Sequence, residues 1–433
     1  MIPTMQTRQN RRGAAKRKSR NRILLVLLFA TAVASAAFLF LPTLEAGDWG
    51  GDHGAPEVPL DPVDREPVTP ASPIELSIVC VGDVMVHKSQ IASQYDSASK
   101  TYNYDNNFQY VKKYIETADL ALCNVETTFS GGTPSGYPSF NAPDALADAL
   151  ANAGFDVGIT SNNHLYDRGV SGMKRTLRVL REAGLATAGT RLPWERNYAL
   201  MDVKGVKVAI VAYTYETPSN GGRATINGVI LSDEAKELIN SFNYEVLDED
   251  LKKVQATIDA ARDNGADIVI CYYHWGEEYQ RSPNLWQKYI AEQTVAMGVD
   301  VIFASHPHVL QQVEVLKNEE TGKQVPVFYS MGNFLSNQRA ETLNNRYTEQ
   351  GMIARVNLTY DHNTGEVAFV GADAMRTWLD KYKSGGKDVY AIVPLDSELE
   401  KNEALKASGH LHRAIQASED VEAVLGSDYI WSE

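Results

Sequence analysis

The chain has 433 residues, 44% hydrophobic and 22% charged, which excludes a polytopic membrane protein and a disordered chain and leaves room for one large domain or two ordinary ones. It holds 41 basic and 55 acidic residues; eight of the basic ones lie in the first 22 positions, and removing eight from 41 leaves 33 against 55, or −22 for the remainder. Such a remainder repels nucleic acid, and a polyanionic substrate would need local positive charge such as metal ions.

Taken in chain order, residues 1–22 carry Arg8, Arg11, Arg12, Lys16, Arg17, Lys18, Arg20 and Arg22 and no acid, followed by uncharged Ile23 to Leu41. Nineteen residues at about 1.5 Å rise reach roughly 28 Å, the thickness of a bilayer's hydrocarbon core, so 23–41 predicts one transmembrane helix. The basic flank places residues 1–22 in the cytoplasm and the remainder outside, anchored in the cell membrane by a single pass. Ala34-Ser35-Ala36 offers a signal-peptidase pattern, but the apolar run continues through Phe38-Leu39-Phe40-Leu41, which favours a retained anchor. Residues 42–73, rich in Gly, Pro and Asp without apolar periodicity, predict a flexible linker.

From 74 to 395, strand-like and helix-like patterns alternate, which predicts an α/β domain. Leu76 to Val81 ends in Gly82-Asp83, Leu120 to Cys123 in Asn124-Val125-Glu126, and Phe155 to Thr160 in Ser161-Asn162-Asn163-His164. Ile268 to Tyr273 ends in His274, and Val301 to Ala304 in Ser305-His306-Pro307-His308. Functional groups collect past the carboxyl ends of strands in such sheets, and each of these endings offers a carboxylate, amide or imidazole that a metal accepts. One site drawing on all of them is expected, because parallel strands with helical crossovers bring their ends to one edge.

Between the runs, Phe108, Val111, Ile115 and Ala118 share one helical spacing, as do Val170, Met173, Leu177 and Leu180, and Leu251, Val254, Ile258 and Ala261. Helices ending before Gly154 and Gly298 are also predicted. Hairpins are predicted over Tyr198 to Tyr215, Gln311 to Tyr329 and Met352 to Val370, so the sheets should be mixed. Residues 217–246 lack a clean period and are expected to form an insertion or flap over the site; 396–433 read as a helical, partly acidic C-terminal tail. Cys80, Cys123 and Cys271 fall in apolar runs of different strands, expected in one sheet, and predict buried, unpaired thiols.

Gly82-Asp83, Asn124-Val125-Glu126, Asn162-Asn163-His164-x-x-Asp167-x-Gly169, His274-Trp275-Gly276-x-Glu278-Tyr279, Ser305-His306-Pro307-His308 and Tyr329-Ser330-Met331-Gly332-Asn333-Phe334, in this order across about residues 75–375, resemble the CapA family of poly-gamma-glutamate (capsule) synthesis proteins. That family is similar to the calcineurin-like metallophosphoesterases. The resemblance implies a four-layer α-β-β-α sandwich of two mixed sheets holding one or two divalent ions, with Mn, Fe or Zn suited to such ligands. It implies Asp83, Glu126, Asn163, His274, His306 and His308 as metal ligands, Glu126 standing where the superfamily has its bridging aspartate. His164 would be the proton donor, and Asn162, Glu278 and Asn333 would meet the substrate. Two departures follow: Met85 occupies the first motif's histidine position, and no arginine stands near Asn141 in Phe140-Asn141-Ala142-Pro143. His87, His362, His410 and His412 read as ordinary polar residues.

Two functions are consistent with these motifs. One is a membrane-anchored, metal-dependent hydrolase or transferase of the cell envelope, acting on an anionic polymer such as poly-gamma-glutamate or on a phosphorylated intermediate. The other is a non-catalytic assembly or export factor that uses a degenerate fold of the same kind to bind polymer or other capsule-synthesis subunits. Fold resemblance alone does not choose between them.

Overall fold

A computed structural model describes residues 72–431. The basic segment 1–22, the expected transmembrane helix 23–41 and nearly all of the expected linker lie outside the described residues. Among the described residues, no helix is long and apolar enough to cross a membrane.

The first strand, Ile74–Val84, sits inside a large mixed sheet. On one side it pairs parallel with Leu120–Val125, which leads through Val157–Ile159 to Ala186–Ala188. On the other it pairs antiparallel with Gln350–Asp361, which continues to Glu366–Ser384 and Lys387–Pro394. A second mixed sheet is built on parallel strands Val206–Tyr215, Ile268–His274, Val301–Ser305 and Gln324–Phe328. The three expected hairpins form, with turns at Lys204-Gly205, 318–323 and 362–365.

Period-two alternation divides each strand between two cores. Ile78, Cys80, Leu120 and Leu122 of the first sheet pack against Ile210, Ile270, Tyr272 and Phe303 of the second, one apolar layer between the sheets. The outer face of the first sheet, with Val79, Val81 and Cys123, packs on Leu146, Leu150, Val179 and Leu180 of the helices Ala145–Asn152 and Gly169–Glu182. The outer face of the second, with Val269 and Cys271, packs on Val254, Ile258, Ile290 and Val295 of Leu247–Asp263 and Leu285–Ala296.

Two expectations are corrected, and two segments are filled in. The helix expected across 108–118 is two single turns, Asp105–Phe108 and Lys112–Ile115; Phe108, Val111 and Ile115 are nonetheless buried, so the spacing reported burial rather than one continuous helix. Cys271 belongs to the second sheet and Cys80 and Cys123 to the first, so the three cysteines do not share one sheet; all three are buried free thiols. Within the expected insertion 217–246, strands Thr217–Asn220, Arg223–Ile226 and Val229–Ile230 form a small separate sheet, and Ile226, Leu231 and Leu238 pack on Leu165 and Met173 just beyond His164. The C-terminal segment is helical as expected, and Ala404, Leu405, Ala414 and Ala417 of helices Glu403–Ser408 and Leu411–Leu425 share a core with Trp378, Ala391 and Val393.

Candidate metal centre

Asp83 reaches the site through an irregularity in its strand. Val81 faces the outer core, so plain alternation would send Asp83 outward too. Instead the register against the neighbouring strand slips between Val81 and Asp83, which pair with Cys123 and Asn124. Such a bulge turns the following side chains to the opposite face. Gly82 permits it: a Cβ there would lie 1.9 Å from the Gly332 carbonyl oxygen, and the Asp83 amide donates to that same oxygen at 2.9 Å.

The second sheet supplies the imidazoles. His274 is the last residue of its strand, and the chain after Ser305 turns through His306 at φ 108° and His308 at φ 57°. Both values lie in the left-handed region that side-chain-bearing residues rarely adopt; such strain persists where surrounding structure imposes it, commonly at functional sites.

The six expected ligands converge. His308 Nδ1 lies 2.9 Å from Asp83 Oδ2, and its Nε2 lies 3.9 Å from Glu126 Oε1. His274 Nε2 lies 2.9 Å from Asn163 Oδ1 and 3.7 Å from Glu126 Oε1. The His306 ring is centred 4.8 Å from that of His274. Potential ligand atoms of Asp83, Glu126 and His274 all lie within 4.8 Å of one another.

Electrostatics separates the two carboxylates. Burial drives the Glu126 carboxyl well above its ordinary pKa, and the Asp83 charge drives it further. Burial also acts to raise Asp83, but its hydrogen bond with His308, electrostatic interaction with the His308 and His274 rings, and the Asn124 amide outweigh it and hold the group below the usual carboxylate range. Burial pushes His274 down to about 3, and pushes His306 well below its ordinary value with help from His274 and His308.

These residues fit a divalent cation. Both Glu126 oxygens and His306 Nδ1 are buried with no hydrogen-bond partner, the arrangement that leaves polar groups most costly unless something binds them. A buried set of carboxylate, amide and imidazole donors suits such an ion. The buried Asp83, Glu126 and His274 cluster could therefore hold a metal.

Other expected site residues are placed differently. Asn162 spends its amide on scaffold, donating to Asn124 Oδ1 at 3.2 Å and the Val125 carbonyl at 2.9 Å while its oxygen accepts from the His164 amide at 3.1 Å. Asn333 holds His308 instead, with Oδ1 3.1 Å from Nδ1 and its amide donating to Gln338 and Thr348. Both side chains are thus engaged within the protein. Glu278 is exposed, at the rim, where its charge raises the pKa of Glu126. His164 Nδ1 sits 2.8 Å from Asp167 Oδ2, and its ring meets Phe140 edge-on with centroids 4.6 Å apart. Met85 is buried, its amide bound to the Leu335 carbonyl at 2.8 Å. His87, expected to be ordinary, is half-buried with its ring edge-on to Phe140, and withdrawal from water lowers it to about 4.

Asn124 went unassigned in the sequence. Its amide donates to Asp83 Oδ1 at 2.8 Å and approaches His274 Nδ1 at 3.4 Å, tying together groups from both sheets. A signal was present, since positions 124 and 126 share a face and the face that carries Glu126 carries Asn124 too.

Two mixed sheets that deliver carboxylate, amide and imidazole groups to one buried cluster define an α/β protein with a candidate metal centre. The chain belongs to the bacterial capsule synthesis protein family PGA_cap, whose model matches residues 77–338. It is 31% identical over 274 residues to the capsule biosynthesis protein CapA of Bacillus anthracis, covering 61% of this chain and 60% of that protein. It is 28% identical over 280 residues to the PGA biosynthesis protein CapA of Bacillus subtilis, covering 61% of this chain and 64% of that protein. The match thus spans less than two thirds of either relative. A phosphatase structure from Mycoplasma pneumoniae is similar at 15% identity and a TM-score of 0.40, covering 70% of this chain and 94% of that one, a likeness too loose to decide chemistry.

Proposed function

We propose that this chain is a membrane-anchored, extracytoplasmic protein of capsule or poly-gamma-glutamate synthesis with a metal-dependent, hydrolase-like site. The observation that carries the reading is Glu126, a buried carboxylate with neither oxygen hydrogen-bonded, set among Asp83, His274 and His308. Asp83, Glu126, Asn163, His274, His306 and His308 would hold one or two divalent ions, with Mn, Fe and Zn all suited to these donors. When bound, such ions supply a nucleophile at neutral pH and stabilise negative charge that develops on a substrate. The chain's own residues do the rest. Asn124 and Asn333 orient Asp83 and His308, and Asp167 orients His164 and stabilises its imidazolium, which donates a proton to the leaving group. The anionic substrate would be an envelope polymer or a phosphorylated intermediate. Anchoring rests on the uncharged run 23–41 behind eight basic residues.

Metal content and turnover of a generic phosphodiester, measured together on the full-length protein, test this. The double change His306→Ala with His308→Ala should abolish both while leaving the fold intact; wild-type protein that takes up no divalent metal under any loading condition sinks the reading.

A second reading has its own support. Met85 puts a buried thioether where the first motif's histidine would stand, so this motif brings one ligand rather than two. A site so depleted suits a non-catalytic assembly or export factor that binds polymer or partner subunits. Wild-type protein that holds metal and turns over no phosphodiester favours it.

A further inference from the structure

A cation without a counter-ion lies beside His164. Arg168 directly follows Asp167 and reaches the segment 135–139, where its Nη2 donates to Ser135 Oγ at 2.5 Å and to the Ser139 carbonyl at 3.4 Å. Its Nε is buried with no partner, and the guanidinium forms no ion pair with any described carboxylate. The next three arginines along the same helix differ: Arg175, Arg178 and Arg181 face Asp144, Glu182 and Glu195 at 2.7, 3.7 and 2.7 Å. A guanidinium partly withdrawn from water and met only by neutral oxygens is costly, and a buried donor without an acceptor calls for one.

The position gives the cost a use. Ser139 precedes Phe140, whose ring packs on His164 and whose amide donates to Asp167 Oδ2 at 2.6 Å. Arg168 therefore contacts the chain one residue from the ring that covers His164. Near His164 the charged group is the Asp167 carboxylate, 2.8 Å from its Nδ1, which would repel an incoming anion. Asn141 is neutral and is committed to its own loop, its amide donating to the Gly131 and Thr133 carbonyls and its oxygen accepting from the Ser130 amide. The charge at this segment comes from Arg168.

We propose that Arg168 forms a subsite for an anionic oxygen group of the substrate, a carboxylate arm or a phosphate, next to the bond that His164 serves, with the Ser135 hydroxyl exchanging its 2.6 Å bond to the Ser139 carbonyl for the ligand. The last clause rests on the hydrolase reading; the anion subsite itself does not. The ligand's oxygens take up the unpartnered Nε hydrogen and replace the long contact to Ser139. A guanidinium offers paired donors in a plane that matches such groups.

The test uses full-length protein in detergent, titrated with a fluorescent oligomer of γ-linked glutamate and, separately, with inorganic phosphate. Arg168→Gln should weaken binding roughly 10- to 100-fold, the range of a lost hydrogen bond to a charged group, and Arg168→Lys should restore part of it. Loss confined to the oligomer identifies the carboxylate, and loss confined to phosphate identifies the phosphate. Ser135→Asp keeps the arginine but fills the subsite with an internal carboxylate; it should give the same loss at an unchanged melting temperature, which guards against a misfolded glutamine variant. Binding by Arg168→Gln as tight as wild type for both ligands, or no binding of either by wild type, overturns the proposal. Metal content and phosphodiester turnover are read on the same samples. Intact turnover with unchanged binding overturns the subsite alone, whereas metal-free wild type overturns the hydrolase reading and leaves the binding result standing.

Discussion

Asp83 and Glu126 occupy one buried pocket, yet their surroundings drive their ionisation in opposite directions. In chelator-treated protein this has a sign that can be worked out. His274, held at about 3 against an ordinary 6.5, and His306, also depressed, refuse protons that the unfolded chain accepts, so stability falls as pH drops through 6.5. Glu126, raised above its ordinary 4.5, retains a proton that the unfolded chain releases, so stability also falls as pH rises above that value. Two imidazoles outweigh one carboxyl below about 6.5, and the carboxyl acts alone above it, so thermal melts should show a maximum near that pH. His274→Asn should flatten the acid limb and Glu126→Gln the alkaline limb; limbs indifferent to both changes would locate the titration elsewhere. His164 has a different consequence. His164→Ala should keep the metal and lower turnover by roughly 10²- to 10⁴-fold, the range of a lost general acid, as read by metal analysis beside phosphodiester kinetics.

At the scale of the element, the strand Ile74–Val84 shows how one residue without a side chain redirects another. The slip after Val81 turns Asp83 inward, and Gly82 makes room for the Gly332 carbonyl. Gly82→Ala would force the strand and the Asn333–Leu335 segment apart, and overpacking of this kind costs about 3 kcal/mol or more when backbone must move. The denaturation midpoint should fall by that equivalent with an unchanged slope, and metal uptake should fail with it. The loop 305–308 works differently, holding two histidines at positive φ so that both rings reach one cluster. Apolar spacing at Phe108, Val111 and Ile115 marked burial correctly and continuity wrongly, because two separate turns bury the same side chains.

Across the whole described unit, the site exists only where the two sheets meet. Asp83, Glu126 and Asn163 come from the first, and His274, His306 and His308 from the second. Residues 396–431 belong to the same packing. Arg413 Nη2 meets Glu349 Oε2 at 2.8 Å, and Arg346 Nε meets Asp420 Oδ2 at 2.7 Å, fastening the last helix to the segment whose Thr348 carbonyl accepts from Asn333. Deletion of residues 403–433 should therefore expose Trp378, Ala391 and Val393 and yield protein without a cooperative thermal transition in calorimetry; a sharp, wild-type transition would show the helices to be dispensable. Cys80, Cys123 and Cys271 should titrate as three free thiols after denaturation without reductant, since all are buried and unpaired. The proposed anchor predicts that protease added to intact cells digests the main domain and spares a small membrane fragment. Recovery of a free domain beginning near Ala37 would defeat it.

Local pattern was enough to reveal the α/β alternation, the three hairpins, the buried cysteines and the family, because strand ends, turn glycines and motif order are written within a few residues of one another. The polar endings Asp83, Glu126, Asn163, His274, His306 and His308 were legible for the same reason. Their meeting was not decided locally, since it depends on two sheets packing face to face through Leu122, Ile270 and Phe303. Tertiary structure alone also turned Asp83 inward, committed Asn162 and Asn333 to the scaffold, and left Arg168 without a counter-ion. Each of these outcomes depends on which distant backbone or side chain fills the remaining hydrogen-bonding valence, and a one-dimensional pattern carries no distance between residues far apart in the chain.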